Sequence, residues 1–389
     1  MTIQLGLEVA CQTPPDVLRQ SRAFGLVCNQ ASVDRHFRHA ADVLHERFPG
    51  QLRALFGPQH GLWSTEQDNM IETGHNRHAR LQIPVHSLYS ETRKPTQQML
   101  EGLDLLVVDL QDVGTRVYTY VWTLTYCLEA CAQKGIPLLV LDRPNPLGGE
   151  VAEGALLDPR WQSFVGRAPL PMRHGLTLGE LARHCDDVMG LGADLRVVPM
   201  QGWRRSMLWP ATGRAWVPPS PNLPRVDGAL VYPGQVLLEG TNLSEGRGTT
   251  TPFEQFGAPF LDPWRLCDLA NAHDLRGVTL RPVQFEPTFQ KWHGKGCGGV
   301  FLHVTDADAL RSYRMTLVLL RAIRELWPQQ FAWRQPPYEY EDVLLPIDIL
   351  AGDDRVRAFV DGELGLDQLD ALAAAPSDWW RRVRRSLLY

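Results

Sequence analysis

The chain has 389 residues, 44% of them hydrophobic and 21% charged, with a formal net charge of −5. That is the composition of a globular protein long enough for two domains, each with its own core. The negative balance argues against nucleic acid as the main partner.

Taken in chain order, short apolar runs alternate with helical patterns through the first half. Strands are predicted at Phe24–Cys28, Leu52–Phe56, Val85–Leu88, Leu105–Leu110 and Pro137–Leu141. Leu105-Leu106-Val107-Val108 and Leu138-Leu139-Val140-Leu141 are unbroken apolar runs, as strands covered on both faces require. Helices are predicted near His36–Phe48, Thr96–Gly102 and Thr119–Lys134. This βαβ rhythm implies an α/β fold with a parallel, Rossmann-like sheet. No GxGxxG follows the first strand, so a dinucleotide cofactor is not expected.

The proline-rich passage Trp216–Pro224 breaks the periodicity and reads as a connection between domains at 1–225 and 226–389. Beyond it, a helix near Pro263–His273, strands near Val278–Phe285 and Gly299–Val304, and a long helix around Asp308–Trp327 suggest a smaller α/β or α+β domain. The basic run Arg381–Arg385 suits the solvated end of a terminal helix. Seven cysteines form neither a CxxC pair nor a metal-ligand spacing, which suggests reduced, buried thiols and no metal. Residues 1–20 lack the pattern of a signal peptide, and no run reaches the roughly 18 apolar residues of a membrane span. A cytoplasmic enzyme without a membrane partner is therefore expected; the oligomeric state is left open.

Four predicted strands run into polar clusters. These are Gly57-Pro58-Gln59-His60-Gly61, Tyr89–Pro95, Gln111-Asp112-Val113-Gly114-Thr115-Arg116 and Asp142-Arg143-Pro144-Asn145-Pro146. In open α/β sheets the ligand crevice lies beyond the carboxyl ends of the strands, so these tips are expected to converge. Asp112 and Arg116 equally suit an internal ion pair, and so do Asp142 and Arg143. Tyr118 and Tyr120 offer ring faces to a sugar. His60, with an ordinary pKa near neutrality, suits an acid, a base or an orienting group.

The run Gly240-Thr241-Asn242-Leu243-Ser244-Glu245-Gly246-Arg247-Gly248-Thr249-Thr250, preceded by Glu239, reads as a flexible binding loop. Its glycines permit close backbone approach to a ligand, and Arg247 offers a rigid fork to an anion. The pocket is expected to gather Asp112, Asp142 and Glu245 around a hydroxyl-rich, partly anionic molecule. No Gly-x-Ser-x-Gly elbow and no phosphate-binding loop occur, which speaks against acyl transfer and nucleotide hydrolysis. What remains is the chemistry of carbohydrate recognition and acid/base hydrolysis.

Together, Phe56–Gly61, Ile83–Tyr89, Asp109–Tyr120, Asp142–Gly149, Ser220-Pro221-Asn222 and Glu239–Thr250 with Pro252-Phe253 resemble one bacterial family, in the same order along nearly the whole chain. It is that of the exo-acting β-N-acetylmuramidases. The resemblance implies a site in the cleft between two domains and release of N-acetylmuramic acid from the non-reducing ends of peptidoglycan fragments. A muramic-acid-containing saccharide is then the partner, its lactyl carboxylate an anion for Arg116, Arg143 or Arg247. On this reading Glu66 is the general acid, His60 orients it, and Asp112 or Glu245 activates water or stabilises the sugar cation. Gln59, Arg116, Tyr118, Tyr120, Asp142, Arg143, Asn145, Asn222, Glu239, Asn242 and Arg247 would bind the substrate. Many members carry glutamate where this chain has Gln59, and an amide has no proton to donate at neutral pH. The alternative is a protein that binds or senses amino sugars without cleaving them.

Overall fold

The structure, a computed structural model, describes residues 2–67 and 70–389; Met1, Asp68 and Asn69 lie outside the described residues. Among the described residues ten strands form two sheets: β1 (Phe24–Cys28), β2 (Leu52–Gly57), β3 (Asn76–Arg77), β4 (Pro84–Ser87), β5 (Leu105–Asp109), β6 (Leu138–Leu141), β7 (Leu195–Val198), β8 (Gln255–Ala258), β9 (Val278–Phe285) and β10 (Cys297–Val304). The larger sheet has the order β3-β4-β2-β1-β5-β6-β7, parallel except for β3 at its edge.

Its central strands β1, β5 and β6 are apolar almost throughout because both faces are covered. Leu106 and Val108 of β5, with Phe56 and Val140, pack against Leu124, Cys127, Leu128 and Cys131 of the helix Tyr120–Lys134. Leu105 and Val107 point the other way, joining Phe24, Leu26, Leu55 and Leu139 against Leu7 and Ala10 of Gly6–Gln12 and Leu44 of Ala40–Arg47. Each such fully buried side chain contributes about 1.5–3 kcal/mol relative to exposure. The predicted helix near Thr96–Gly102 is a run of turns instead. The sequence reading also passes over β3, β7 and β8, whose lengths of two to four residues leave little periodicity to detect.

The smaller sheet is antiparallel, in the order β8-β10-β9. The helix Val226–Gln235 crosses Ser312–Leu326 closely: a Cβ on Gly234 would stand 2.0 Å from the carbonyl oxygen of Ser312, so only glycine fits there. This helix runs into the 3₁₀ turn Val236–Gly240, which delivers Glu239. Among the described residues no helix is long and apolar enough to cross a membrane.

Candidate active site

In the larger sheet β1 lies between β2 and β5, so the strand order reverses there, where ligand crevices of α/β sheets form. A narrow hollow opens beside this point, with about 440 Å³ of empty space counting its mouth. Gln59 and His60 reach it from the end of β2, and Tyr118 and Thr119 from the segment after β5. Ser220 and Asn222 come from the proline-rich passage; Tyr232, Glu239, Arg247, Phe253, Tyr338 and Glu339 add the rest of the polar and aromatic lining. Three of these residues, His60 (φ 69°), Phe253 (φ 65°) and Glu339 (φ 46°), hold left-handed backbone although none is glycine. Such strained positions concentrate at functional sites, where the surrounding structure over-determines them.

The glycine-rich run is not the flexible loop its composition suggests. Ser244 exchanges two backbone hydrogen bonds with Gly257 of β8, 2.8 and 2.9 Å long, which fastens the run to the sheet edge. Gly246 has φ 77° and lies so close to β8 that a Cβ would approach the Gln255 carbonyl oxygen to 2.4 Å. The loop is thus buried and rigid, and its glycines serve packing as well as turning. It holds Arg247 between two carboxylates, with Nη2 donating to Glu239 Oε1 at 2.7 Å and Nε 3.1 Å from Glu245 Oε1. Burial alone would lower the Arg247 pKa, but Glu239 and Glu245 more than offset this and hold it well above the usual value. Its Nη1 is buried with no hydrogen-bond partner among the described residues.

Glu245 itself does not line the hollow. It accepts from Lys291 Nζ at 3.0 Å, and although burial opposes ionisation, Lys291 and Arg247 bring its pKa below the ordinary range. Glu239 receives a second hydrogen bond from the Tyr338 hydroxyl at 2.7 Å.

The other carboxylate of the hollow, Glu339, is one the sequence reading missed. Tyr89 Oη donates to its Oε2 at 2.8 Å and Gln59 Nε2 to its Oε1 at 3.3 Å. The Gln59 amide is held in that sense because its Oε1 accepts from Thr119 Oγ1 at 2.6 Å. Burial, and then the charge of Glu239 against the two hydrogen bonds, raises Glu339 to about 7. Across the hollow, His60 Nδ1 donates to the Glu66 carbonyl at 2.7 Å, which leaves Nε2 as an acceptor 3.3 Å from Ser220 Oγ. Burial, followed by the Arg247 charge, lowers His60 to about 4, so its ring is neutral at pH 7.

Of the residues singled out from sequence, Gln59, His60, Tyr118, Asn222, Glu239 and Arg247 meet in this hollow. The expected gathering of Asp112, Asp142 and Glu245 does not occur. Asp112 accepts from the Gly114 amide at 2.7 Å and faces His174 at 3.4 Å, and it forms no pair with Arg116. Asp142 is enclosed by Thr177 Oγ1 (2.8 Å), the Gly179 amide (2.7 Å) and Tyr389 Oη (2.8 Å). Arg143 pairs with Asp109 rather than with Asp142, through bonds of 2.5 and 2.8 Å.

Arg116 is spent on the carbonyl oxygens of Leu170 and Leu350, so it has little left for a substrate anion. Asn145 bonds to Leu176 and Leu147, and Asn242 to Gln330 and Ala332; both amides brace backbone. Tyr120 stands behind the wall, where its hydroxyl donates to the Pro219 carbonyl at 2.7 Å and its ring packs on Tyr118. The Glu66 side chain lines a separate depression with Trp63, Glu72 and His86. It touches the site only through its main-chain carbonyl. One signal for Glu339 was present in the sequence: Tyr338-Glu339-Tyr340-Glu341-Asp342 places acids among phenols just after Pro336-Pro337.

Residues 24–227 match the family model of the exo-β-N-acetylmuramidase NamZ N-terminal region, and residues 230–389 that of its C-terminal region. The peptidoglycan β-N-acetylmuramidase NamZ of Bacillus subtilis (strain 168) is 41% identical over 369 residues, 94% of this chain and 86% of that protein. Two crystal structures of DUF1343 family proteins from Bacteroides fragilis NCTC 9343 share the fold. One has a TM-score of 0.88 at 30% identity, the other 0.77 at 26%, each covering 100% of this chain and 99% of its own. With both halves matched by its models and a curated relative along almost its full length, the chain belongs to the exo-β-N-acetylmuramidase family.

Proposed function

We propose that this protein is an exo-acting glycoside hydrolase that releases N-acetylmuramic acid from the non-reducing ends of peptidoglycan fragments. The observation that carries the reading is Arg247: a charged guanidinium, buried in the hollow, whose Nη1 has no partner among the described residues. A buried unpaired donor is costly, and a carboxylate on the ligand relieves that cost. Among amino sugars, muramic acid carries such a group on its lactyl ether.

Tyr118, Tyr232, Phe253 and Tyr338 give the hollow apolar ring surface for the sugar's C–H face. Asn222 supplies an amide for its hydroxyls and acetamido group. Glu239 and Glu339 are two carboxyl groups in one hollow, as glycoside hydrolysis requires. Glu66, Asp112 and Glu245 support this wall from behind, holding His60, the turn at Gly114 and Arg247 in place. We place the reaction in the cytoplasm and without a cofactor. In support of the compartment, all seven cysteines are free thiols and six are buried, as suits reducing conditions.

The test is a pair of disaccharides that differ only in the lactyl ether. The muramic-acid substrate should be cleaved with a kcat/KM higher by roughly 10- to 100-fold, the worth of a charge-assisted hydrogen bond of about 1.5–3 kcal/mol. Equal rates on both would remove the anion clamp, and cleavage of neither would end the hydrolase reading.

A further inference from the structure

Gln59 cannot donate a proton, yet the hollow holds a carboxyl group that can, hydrogen-bonded to that same amide. We propose that in this chain Glu339, and not position 59, is the general acid of the reaction, with Gln59 and Tyr89 as the positioning residues that aim it. The proposal rests on the hydrolase reading above and assigns the residue on which that reading turns.

Four features of the geometry support it. Glu339 lines the hollow together with Arg247 and Glu239, so a sugar anchored on the arginine lies within the same space. Its carboxyl oxygens are each held by one donor, Tyr89 Oη at 2.8 Å and Gln59 Nε2 at 3.3 Å, which fixes the plane of the group. Among the described residues no cation pairs with it directly; its side-chain partners are a phenol and an amide, both neutral at pH 7. Finally, its backbone is held in the left-handed region, at φ 46°, with Tyr340 beside it at φ 67°, so the segment spends conformational energy to present this side chain.

The chemical step balances simply. The protonated Glu339 gives its proton to the glycosidic oxygen as the bond from that oxygen to the anomeric carbon breaks, and the leaving sugar departs as an alcohol. Water adds to the anomeric carbon and yields its own proton to a carboxylate of the hollow. The net change is one glycosidic bond and one water consumed, and two hydroxyl groups formed.

The charged and titratable groups that face Glu339 come from several elements, among them Tyr118 of the segment after β5. Tyr89 follows β4, His60 follows β2, Glu239 stands on the 3₁₀ turn, Arg247 on the glycine-rich run, and Tyr232 and Tyr338 complete the ring. Glu239 favours the protonated carboxyl, whereas Arg247, Tyr89 and Gln59 favour the ionised one. With Glu339 at about 7, kcat/KM should fall as pH rises above neutrality, because the acid form is then lost.

The experiment compares two leaving groups on the full chain. Glu339→Gln should lower kcat/KM on a muramic-acid disaccharide by roughly 10²- to 10⁴-fold. On a dinitrophenyl glycoside of the same sugar, whose leaving group needs no proton, the loss should be under about tenfold. Equal losses on both substrates would show a structural role and overturn the proposal, as would full activity on the disaccharide. A wild-type protein inert on both substrates would instead sink the hydrolase reading itself. Tyr89→Phe provides an independent check that leaves Glu339 in place. Removing that hydrogen bond favours the protonated form, so the alkaline limb of the pH profile should move to higher pH. A limb that stays where it was would detach Glu339 from the rate-controlling ionisation.

Discussion

Two buried polar clusters sit at the carboxyl edge of the same sheet, and they differ in how completely they are satisfied. At the tips of β5 and β6, Arg143 makes two bonds to Asp109 and one to the Val33 carbonyl, while Asp142 takes bonds from Thr177, Gly179 and Tyr389. Around the hollow, Arg247 keeps an unsatisfied nitrogen, and Glu339 is a carboxyl group whose proton is poised near neutrality. Both clusters are charged, buried and placed at strand ends. Buried unsatisfied atoms also occur near the first, at Asp112 Oδ1 and Arg116 Nε, but only the second cluster lines the hollow. An unsatisfied group that lines the hollow, more than charge alone, separates scaffold from site.

The sharpest way to break this contrast is to disable one cluster at a time. Arg247→Met should cut kcat/KM on a muramic-acid substrate by roughly 10²-fold or more, since it removes the anchor and leaves Glu239 and Glu245 without their shared cation. A steady-state comparison with the substrate lacking the lactyl ether should show a much smaller difference. Asp109→Asn should act in the opposite manner. Breaking a buried pair from one side costs about 3–5 kcal/mol of stability. Denaturant titration should register that loss, while KM of the surviving folded enzyme should stay near that of wild type. A large KM change would blur the division between the clusters.

Smaller effects sharpen the picture through pH. Burial raises Asp142 to about 6 against hydrogen bonds that favour its ionised form. A raised carboxyl pKa means the folded state holds its proton more tightly than the unfolded chain. The associated stability is therefore full below about pH 4 and lost as pH rises through about 6, a change on the order of 2–3 kcal/mol. Asp142→Asn should flatten the stability curve across that window. Glu339, raised to about 7, should behave alike between about pH 4.5 and 7, so Glu339→Gln should be at least as stable as wild type at pH 8. An active-site acid that weakens the fold at the pH where it is charged would explain such a gain. Smallest of all, Tyr120→Phe should cost about 1 kcal/mol, the worth of its bond to the Pro219 carbonyl, with little effect on turnover.

Much of this architecture is legible in the sequence. Strands β5 and β6 announce themselves as unbroken apolar runs because they are covered on both faces, and β1 and β2 as apolar runs interrupted by Gly25 and Arg53. The polar tips of β2, β4, β5 and β6 lie at the carboxyl edge of the sheet, where the proposed site opens. What composition cannot tell is which tip residues spend their bonds on the protein. Asp112, Asp142, Arg116, Arg143 and Asn145 carry the same chemistry as Glu239 and Arg247, but their partners are backbone groups and side chains brought near only by folding. Asn242 shows the same limit, lying in the informative glycine-rich run yet serving to brace Gln330 and Ala332. Glu339 escaped because it belongs to no periodic element, and its neighbours in space, Tyr89 and Gln59, are distant in the chain.

That distance has a consequence for how the protein comes to life. The bonds from Gln59 and Tyr89 to Glu339 span separations of 280 and 250 residues. Closing such long loops is entropically expensive and comes after local structure has formed. A chain still emerging from the ribosome can complete its first sheet and still lack the acid that faces it. A chain released before residue 339 has docked is therefore expected to carry a folded sheet and no activity toward glycans.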